Sequence, residues 1–384
     1  MPQLSNAIRA LKASSTVAFN AKALELKRAG VDVIPMTAGE PDFQPPAHVL
    51  EAAHEAIDLG MTKYTASEGT RELREAIVAK HARENGLSYA VEQVVVSTGG
   101  KQSLFNAFMA ILDPGDEVVI PAPYWVSYPA QVQIAGGVTV PVACSAEDGF
   151  VPDPAAIEVA ITPRTKAIVL TSPSNPTGAV VPEAVLKAIA DLAEKHDLWL
   201  ITDELYEHLI YEGTFTPVAQ WYPERTILVH GASKGYALTG WRIGWACAPT
   251  AVAKAMNRLQ GQVTSNANAI AQYATQVALN EVDATLAFQA MTRAAYRERR
   301  DVLVAGLNDL GLPTPMPHGA FYAMTDVRSI DPDETVAATT LLEQARVAVV
   351  PGTDFLAPGF VRLSYACSID RVRTALERIA AVVR

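Results

Sequence analysis

The strongest constraint on the fold is a series of short apolar runs that alternate with helical patterns. Six runs are typical of strands: Glu117–Ile120, Gly137–Val142, Ala167–Leu170, Trp199–Thr202, Ile227–Val229 and Ile243–Ala248. Several are apolar at consecutive positions, which requires that both faces of the sheet be covered. Helical patterns separate them, the clearest at 182–196. This alternation predicts an α/β fold with a mostly parallel sheet and helices on both faces.

Patterns at the two ends of the chain predict a second, smaller unit of α+β character. A helix is expected at Ala18–Arg28, followed by a short strand at Val31–Ile34. After a long helical pattern, strands are expected at Ala320–Met324, Val347–Val350 and Val361–Tyr365, with a last helix from Asp370. The charged run at 297–300 is predicted to form a solvated helix face.

Composition narrows the class of protein. The 384 residues are 49% hydrophobic and 19% charged, enough for a large core and for two domains. The net charge is −10, without a long basic run, which argues against nucleic acid or a membrane surface as the main partner. Three scattered cysteines, Cys144, Cys247 and Cys367, lack metal-ligand spacing and suit a reducing compartment. We therefore expect a cytoplasmic protein without a metal, and no segment is apolar for long enough to span a membrane.

A lysine stands among small residues directly after the run Ile227–Val229. The segment GASKG at 231–235 contains Lys234, and Arg242 follows among glycines and apolar residues. A lysine that forms a Schiff base must be desolvated and reachable, and a phosphate group favours a nearby guanidinium. Taken alone, each residue is better explained as an ordinary exposed side chain, because charged residues are mostly exposed.

Other polar or glycine-rich motifs also follow predicted strands. Gly99 and Gly100 open a helix, where free amides and the helix dipole favour a phosphate. Trp125, Asn175 and Asp203 each come shortly after a strand, at the edge where α/β folds gather ligand groups. Individually, these motifs are equally typical of packing aromatics, turns and helix caps.

Together, the motifs resemble in kind and order those of the class I aminotransferases, pyridoxal-phosphate enzymes of fold type I. The resemblance covers nearly the whole chain, from AGEPDF at 38–43 to VRLSYA at 361–366. It is closest to bacterial aspartate aminotransferases of the branch that includes aspartate/prephenate enzymes, as YWVSYP at 124–129 and NPTGAV at 175–180 indicate. It implies a large cofactor-binding domain at 46–285 with a seven-stranded, mostly parallel sheet. The small domain would combine residues 1–45 and 286–384.

The resemblance also implies roles in holding pyridoxal 5'-phosphate. Lys234 would bind the cofactor covalently and then transfer the substrate proton as base and acid. Asp203 would pair with the pyridinium nitrogen, Asn175 and Tyr206 would hydrogen-bond the ring oxygen, and Trp125 would stack on the ring. Lys234, Asp203 and Tyr206 are thus the expected catalytic residues.

Further implied ligands bind the cofactor phosphate. They are Arg242, the amides of Gly99, Gly100 and Lys101, and Tyr64 from the other subunit of a homodimer with shared active sites. Gly231 departs from the pattern, because many relatives carry a phosphate-binding serine there. Pro123 and Pro176 would follow cis bonds, as their counterparts do in the family.

The implied substrates are amino acids and 2-oxo acids. Arg362 would bind the substrate α-carboxylate, with the Gly39 amide, Trp125 and Asn175 beside it. Lys101 would bind a distal carboxylate and Lys12 would matter for prephenate, since the distal arginine of other branches has no match here.

The expected activity is ping-pong transfer of the amino group of aspartate, or of another acidic amino acid, to 2-oxoglutarate, with prephenate as a further substrate. A β-lyase or an aromatic aminotransferase on the same fold would hold the cofactor with the same residues. A regulatory domain without turnover would follow a basic DNA-binding domain, whereas here the fold begins almost at Met1 and the chain is acidic. We therefore expect an enzyme.

Overall fold

The strands agree with the sequence prediction, since each of the six apolar runs overlaps one strand of the structure. The computed structural model describes residues 3–5, 8–9, 11 and 15–383. In chain order its strands are β1 (Ile34–Pro35), β2 (Val94–Thr98), β3 (Glu117–Ala122), β4 (Val138–Ala143), β5 (Thr165–Thr171), β6 (Trp199–Asp203), β7 (Thr226–Gly231), β8 (Ile243–Cys247), β9 (Tyr322–Asp326), β10 (Val347–Ala348), β11 (Val350–Pro351) and β12 (Phe360–Ser364).

The helices fall between and around these strands. They are α1 (Ser15–Arg28), α2 (Ala47–Asp58), α3 (Arg71–Asn85), α4 (Gly100–Ile111), α5 (Ser127–Ile134), α6 (Pro154–Ala160), α7 (Glu183–Lys195), α8 (Thr250–Val263), α9 (Ala269–Asn280), α10 (Val282–Asp309), α11 (Glu334–Glu343) and α12 (Ile369–Val383). Within the described ranges, no helix combines the length and the apolar character that a membrane span requires.

Seven strands form one sheet in the order β2–β8–β7–β6–β5–β3–β4. Neighbours pair in parallel except at β8, which is antiparallel to both β2 and β7. The predicted mostly parallel seven-stranded sheet is therefore confirmed. Because six strands run in the same direction, their carboxyl ends share one edge, where α/β folds bind ligands.

Helices cover both faces of this sheet, as the consecutive apolar positions predicted. Val95 and Val229 belong to a core that includes apolar residues of α4 and α8. Val96 and Leu228, one position along each strand, belong to the opposite core with α2, α3 and α9. A fully buried aliphatic side chain contributes roughly 1.5–3 kcal/mol, so the two cores hold the strand ends in register.

Both ends of the chain contribute to two smaller sheets. Strands β9, β11 and β12 form an antiparallel sheet in the order β11–β12–β9, and β1 pairs in parallel with β10. Ile34 lies opposite Val347, so the predicted strand at Val31–Ile34 is reduced to its last residue and Pro35. The domain boundaries at 46 and 285 stay a prediction, and helix α10 continues without a break across the second of them.

The charged run at 297–300 is only partly the solvated face that the sequence predicted, since Arg297 and Glu298 are exposed but the next two residues are buried. Arg299 and Arg300 are only 8% and 2% exposed. Arg299 pairs with Asp42 at 2.8 Å, and Arg300 pairs with Glu212 at 2.7 Å. The guanidinium groups can be buried because carboxylates distant in the sequence neutralise them.

Among the described residues, three proline peptide bonds are cis: Ala122–Pro123, Ser172–Pro173 and Asn175–Pro176. The first and the last are the bonds that the family resemblance implied, whereas the middle one was not anticipated. A cis bond is far less costly before proline than before other residues. All three follow the carboxyl ends of β3 and β5, at the ligand-binding edge.

Gly244 provides a test of how closely the sheet and helix α4 pack. A Cβ atom at this position would lie 2.1 Å from the amide nitrogen of Gly100. Gly244→Ala must therefore push the helix away from the sheet, and we expect it to lower the free energy of unfolding by about 1–3 kcal/mol. The measurement is the urea midpoint of unfolding.

Gly240→Ala is the matched control, because a Cβ atom at Gly240 would meet no atom within 4 Å. It should leave the urea midpoint close to that of the wild type. Equal midpoints for the two alanine variants would contradict the proposed packing constraint.

Candidate active site

A cleft of about 810 Å³ opens at the carboxyl edge of the large sheet. Residues that follow β3, β5, β6 and β7 line one side, and residues of β9 and β12 line the other. The predicted site residues that line it are Gly39, Gly100, Lys101, Trp125, Asn175, Asp203, Tyr206, Lys234, Arg242 and Arg362. Motifs from both ends of the chain therefore converge on one site.

Lys234 follows β7 and extends toward the glycine of the GEPDF segment. Its Nζ donates a hydrogen bond to the carbonyl oxygen of Gly39 at 2.5 Å. Burial lowers the pKa of Lys234 to about 8; the charges of Arg242 and Arg362 act in the same direction, and Glu40 and Asp203 oppose them. Roughly a tenth of its amine is therefore uncharged at pH 7, far more than for an ordinary lysine, and can act as a nucleophile or base.

Asp203 is the last residue of β6 and is 6% exposed. Tyr128 donates a hydrogen bond from Oη to Asp203 Oδ2 at 2.7 Å, and the Leu205 amide donates to Oδ1 at 3.3 Å. Burial raises the pKa of Asp203, while the two hydrogen bonds and the charge of Lys234 lower it. The carboxylate is thus oriented by neutral donors and has no ion-pair partner in direct contact among the described residues.

An anion seat is formed where α4 begins. Gly99, with φ +82°, precedes the helix, whose first amides have no partners within it. The Arg242 guanidinium packs on Gly99 so closely that a Cβ atom there would lie 2.5 Å from Nη2. Arg242 Nη1 donates to the Thr239 carbonyl at 2.7 Å, which fixes the side chain. A guanidinium and a helix N-terminus together favour a phosphate group.

Gly231 has little room for a larger residue. A Cβ atom there would lie 2.9 Å from the Ile243 carbonyl oxygen and 3.0 Å from Gly244 Cα. Ser233, two residues further along, is buried and lines the cleft. The sequence pattern drew attention to the missing serine at 231, but the hydroxyl at 233 was not anticipated.

Arg362 is a buried cation with an unused donor. It is 3% exposed; Nη1 donates to Asn175 Oδ1 at 2.9 Å and Nη2 donates to the Thr37 carbonyl at 3.0 Å. Its Nε is buried without a hydrogen-bond partner. The rings of Tyr322 and Phe355 lie 4.5 and 5.0 Å from the guanidinium carbon. A fixed guanidinium at the cleft wall is suited to a carboxylate ligand.

Tyr206 and Tyr322 form a hydroxyl pair in the wall of the cleft. Their Oη atoms are 2.9 Å apart, and burial raises the pKa of both phenols. Both hydroxyls therefore stay protonated; one donates to the other, and the O–H of the accepting tyrosine remains free to donate to a ligand. The sequence placed Tyr322 in a strand but did not mark it as a site residue.

Lys101 lies at the mouth of the cleft beside Trp125. Its Nζ is 4.8 Å from the centre of the indole ring, a cation–π distance. Partial burial, and to a lesser degree the charge of Arg242, lowers the pKa of Lys101. The Gln131 side chain donates to the Lys101 carbonyl at 2.8 Å, which ties the first turn of α4 to α5.

Two predicted site residues, Gly99 and Tyr64, do not line this cleft. Tyr64 is 89% exposed and does not line it, so its predicted role from another subunit stays a prediction. Lys12 lies outside the described residues.

Comparison with known proteins gives the family. The model of the family "Aminotransferase class I and II" matches residues 31–379. The chain is 56% identical to the aspartate/prephenate aminotransferase of Thermus thermophilus over 383 residues, which covers 100% of this chain and 99% of the relative. The aspartate/prephenate aminotransferase of Cereibacter sphaeroides is 46% identical over 398 residues, covering 99% of this chain and 98% of the relative.

A solved structure agrees along the whole chain. The Thermus thermophilus aspartate aminotransferase with maleate superposes with a TM-score of 0.98 at 56% identity, covering 100% of both chains. The fold of this chain is therefore the aspartate aminotransferase fold, and the predicted enzyme class is confirmed. On the family match and these full-length similarities, the chain belongs to the class I and II aminotransferase family.

Proposed function

We propose that this enzyme transfers the amino group of aspartate, or of another acidic amino acid, to 2-oxoglutarate with pyridoxal 5'-phosphate as cofactor. The two half-reactions would use one site in turn, as in a ping-pong mechanism. The observation that carries the proposal is Lys234, whose pKa is lowered to about 8 in a cleft that also contains the buried carboxylate of Asp203. A nucleophilic amine and an oriented carboxylate are the two protein groups that pyridoxal chemistry requires.

The residues of the cleft fit the cofactor at both ends. The anion seat of Gly99, Gly100, Lys101 and Arg242 suits its phosphate, and the partner's Tyr64 would complete it. At the other end, Asp203 suits a protonated pyridine nitrogen. Between them, Asn175 and Tyr206 can donate to the ring oxygen, Trp125 can pack on the ring, and Lys234 would hold the cofactor covalently.

Lys234 and Asp203 would divide the chemical work. When bound, pyridoxal phosphate supplies an electron sink for the charge that develops at the substrate Cα. Lys234 would remove the proton from Cα and return it, because its lowered pKa lets the amine act as base and as acid near neutral pH. Asp203 would keep the pyridine nitrogen protonated through charge complementarity in a desolvated site.

Substrate selection would depend on two cations. Arg362 would bind the α-carboxylate with its unpaired Nε and its Nη groups, beside Asn175 and the Gly39 backbone. Lys101 would bind the distal carboxylate of aspartate or glutamate. Maleate, in the similar Thermus thermophilus structure, is itself a dicarboxylate.

Prephenate is proposed as a further substrate, with Lys12 as an additional contact. The names of the Thermus and Cereibacter relatives include it. The apolar residues that line the cleft, which include Val126, Phe355 and Leu356, would accommodate a bulkier dicarboxylate or an aromatic side chain.

The active form is proposed to be a homodimer with shared sites, since Tyr64 lies exposed and away from the cleft of its own subunit.

A large domain at 46–285 and a small domain from 1–45 and 286–384 would meet at the cleft. Cytoplasmic location is proposed from the three scattered thiols, which carry no disulfide among the described residues.

The first test follows the cofactor's absorbance in the violet region during a half-reaction. Aspartate alone should convert the band, and 2-oxoglutarate should restore it. Lys234→Ala should bind pyridoxal phosphate without this conversion, because the base is absent. A β-lyase would instead consume the amino acid and release ammonia continuously without any 2-oxo acid, and that outcome would contradict the proposal.

The second test measures the pH dependence of Lys234 reactivity in the cofactor-free protein. Because its pKa is lowered to about 8, amine-directed trinitrobenzenesulfonate should label Lys234 with a midpoint near that pH. A peptide that contains an exposed lysine, whose pKa is about 10.4, serves as the control. Peptide mapping of the labelled chain is the readout. A midpoint for Lys234 that matches the control peptide would show that the cleft does not desolvate the amine.

The third test concerns the distal carboxylate. Lys101→Ala should lower kcat/KM for aspartate and glutamate by about tenfold or more relative to an apolar or aromatic amino acid, since an unpaired carboxylate in a desolvated site is costly. Lys187→Ala, which removes an exposed lysine on α7, is the matched control. Equal losses on both substrate classes would remove Lys101 from substrate recognition.

A further inference from the structure

A buried ion pair lies behind the segment that carries Asp203 and Tyr206. Lys80 of α3 is 0% exposed, and its Nζ donates to Glu207 Oε1 and, at 2.9 Å, to Asn85 Oδ1. Asn85 Nδ2 donates to Glu207 Oε2 at 3.0 Å. Both carboxylate oxygens of Glu207 thus accept hydrogen bonds from side chains of α3.

Two histidines extend this group of side chains. His208 Nε2 lies 3.0 Å from Glu84 Oε2 and 3.1 Å from Glu207 Oε1. His230 Nε2 lies 3.0 Å from the same Glu207 oxygen. We call the group the Lys80 cluster; its members are Lys80, Glu84, Asn85, Glu207, His208 and His230. None of them lines the active-site cleft.

The Lys80 cluster touches both segments that carry the principal catalytic groups. Glu207 is adjacent in sequence to Tyr206 and four residues after Asp203. His208 packs against Gly235, the residue after Lys234, so closely that a Cβ atom there would lie 2.6 Å from His208 Nδ1. His230 belongs to β7, the strand that leads to Lys234.

Asp203 pairs with β5 and β7, and the backbone that follows it forms local turns. The Glu204 amide donates to the Val229 carbonyl at 2.9 Å, and the Glu207 amide donates to the Glu204 carbonyl at 3.1 Å. The side chains of Glu207 and His208 make its polar contacts with α3. The orientation of the segment relative to α3 therefore depends on the Lys80 cluster.

Metal binding is a weaker explanation for these residues. Donor atoms of Glu207, His208 and His230 lie within 4.8 Å of one another, which a divalent cation could use. The Lys80 ammonium, however, is already hydrogen-bonded to the Glu207 oxygen that both histidines approach. The Lys80 ammonium thus already neutralises the Glu207 carboxylate. A metal ion would have to displace this ammonium from a buried position.

A buried ion pair is weak evidence for a stabilising role, because apolar residues of similar volume often stabilise a fold equally well or better. We propose that Lys80 and Glu207 are positioning residues whose ion pair sets the distance and angle between the Asp203 carboxylate and the Lys234 amine. The inference rests on the proposed function, in which these two groups hold the two ends of pyridoxal phosphate.

The test uses the holoenzyme of the double variant Lys80→Met/Glu207→Leu, which removes both charges and leaves neither unpaired. The circular dichroism of the bound cofactor in the visible region should change, because it reports the orientation of the ring in the protein. We expect kcat to fall by about tenfold to about a hundredfold, as for small misplacements of catalytic groups. KM for the amino acid should change little, since Arg362 and Lys101 lie outside the cluster, and the urea midpoint should be retained.

Arg300→Met is the matched control, because Arg300 is also a buried cation with carboxylate partners, Glu212 and Asp301, and lies outside the cluster. It should lower the urea midpoint while leaving the visible circular dichroism and kcat unchanged. If the double variant does not fold, Glu207→Gln replaces it; this variant removes the charge but keeps the shape, and smaller changes of the same sign are expected.

The possible failures are distinguishable. A wild-type protein that gives no visible band with added pyridoxal phosphate would contradict the proposed function itself. A wild type that binds the cofactor, with an unchanged band and kcat in the double variant or in Glu207→Gln, would overturn the positioning role. Changes in Arg300→Met as large as those in the cluster variants would also overturn it, because they would show a general effect of stability.

Discussion

The close contact between the sheet and the first turn of helix α4 is the constraint on which the rest of the cleft depends. Gly244 lies so near Gly100 that no side chain fits between them. The helix N-terminus therefore lies directly at the carboxyl edge of the sheet, where Arg242 packs on Gly99 and β7 leads to Lys234. The anion seat and Lys234 share one site because the backbone of Gly244 lies directly against the backbone of Gly100.

The electrostatics of the cleft oppose those of the chain as a whole. The protein has a net charge of −10, yet the cations among the described residues that line the cleft, Lys101, Lys234, Arg242 and Arg362, outnumber the carboxylates there, Asp203 and Asp354. Desolvation makes this excess unfavourable until an anion binds, and it lowers the pKa of both lysines. A phosphate and a dicarboxylate are the ligands that would neutralise such a site. The Lys80 cluster lies behind the same segments. There the charge of Lys80 is neutralised by Glu207, a residue of the protein itself, and no ligand is needed.

Sequence patterns were sufficient for the main sheet because apolar runs and their order follow from local chemistry. The cleft residues were selected by the order of the motifs and their resemblance to a known family, because no motif taken alone distinguishes a ligand group from a turn, a helix cap or a packing aromatic. Sequence patterns could not select Tyr128 or Tyr322, because a tyrosine in a helix or strand has the same local pattern whether its hydroxyl is buried against Asp203 or in solvent. The error at Arg299 and Arg300 has the same origin, since their partners Asp42 and Glu212 are distant in the sequence.

The sequence by itself determined the fold class and the six principal strands of the large sheet, and it indicated the residues expected to perform pyridoxal chemistry. These properties depend on hydrophobic periodicity, on glycines and on motifs whose order is written along the chain. Only the tertiary structure decided the properties that depend on distance and desolvation. They include the lowered pKa of Lys234, the unpaired Nε of Arg362, the hydroxyl of Tyr128 that donates to Asp203, and the burial of Lys80 with Glu207. A pKa or an ion pair depends on which groups meet once water is excluded, and residues far apart in the chain determine that together.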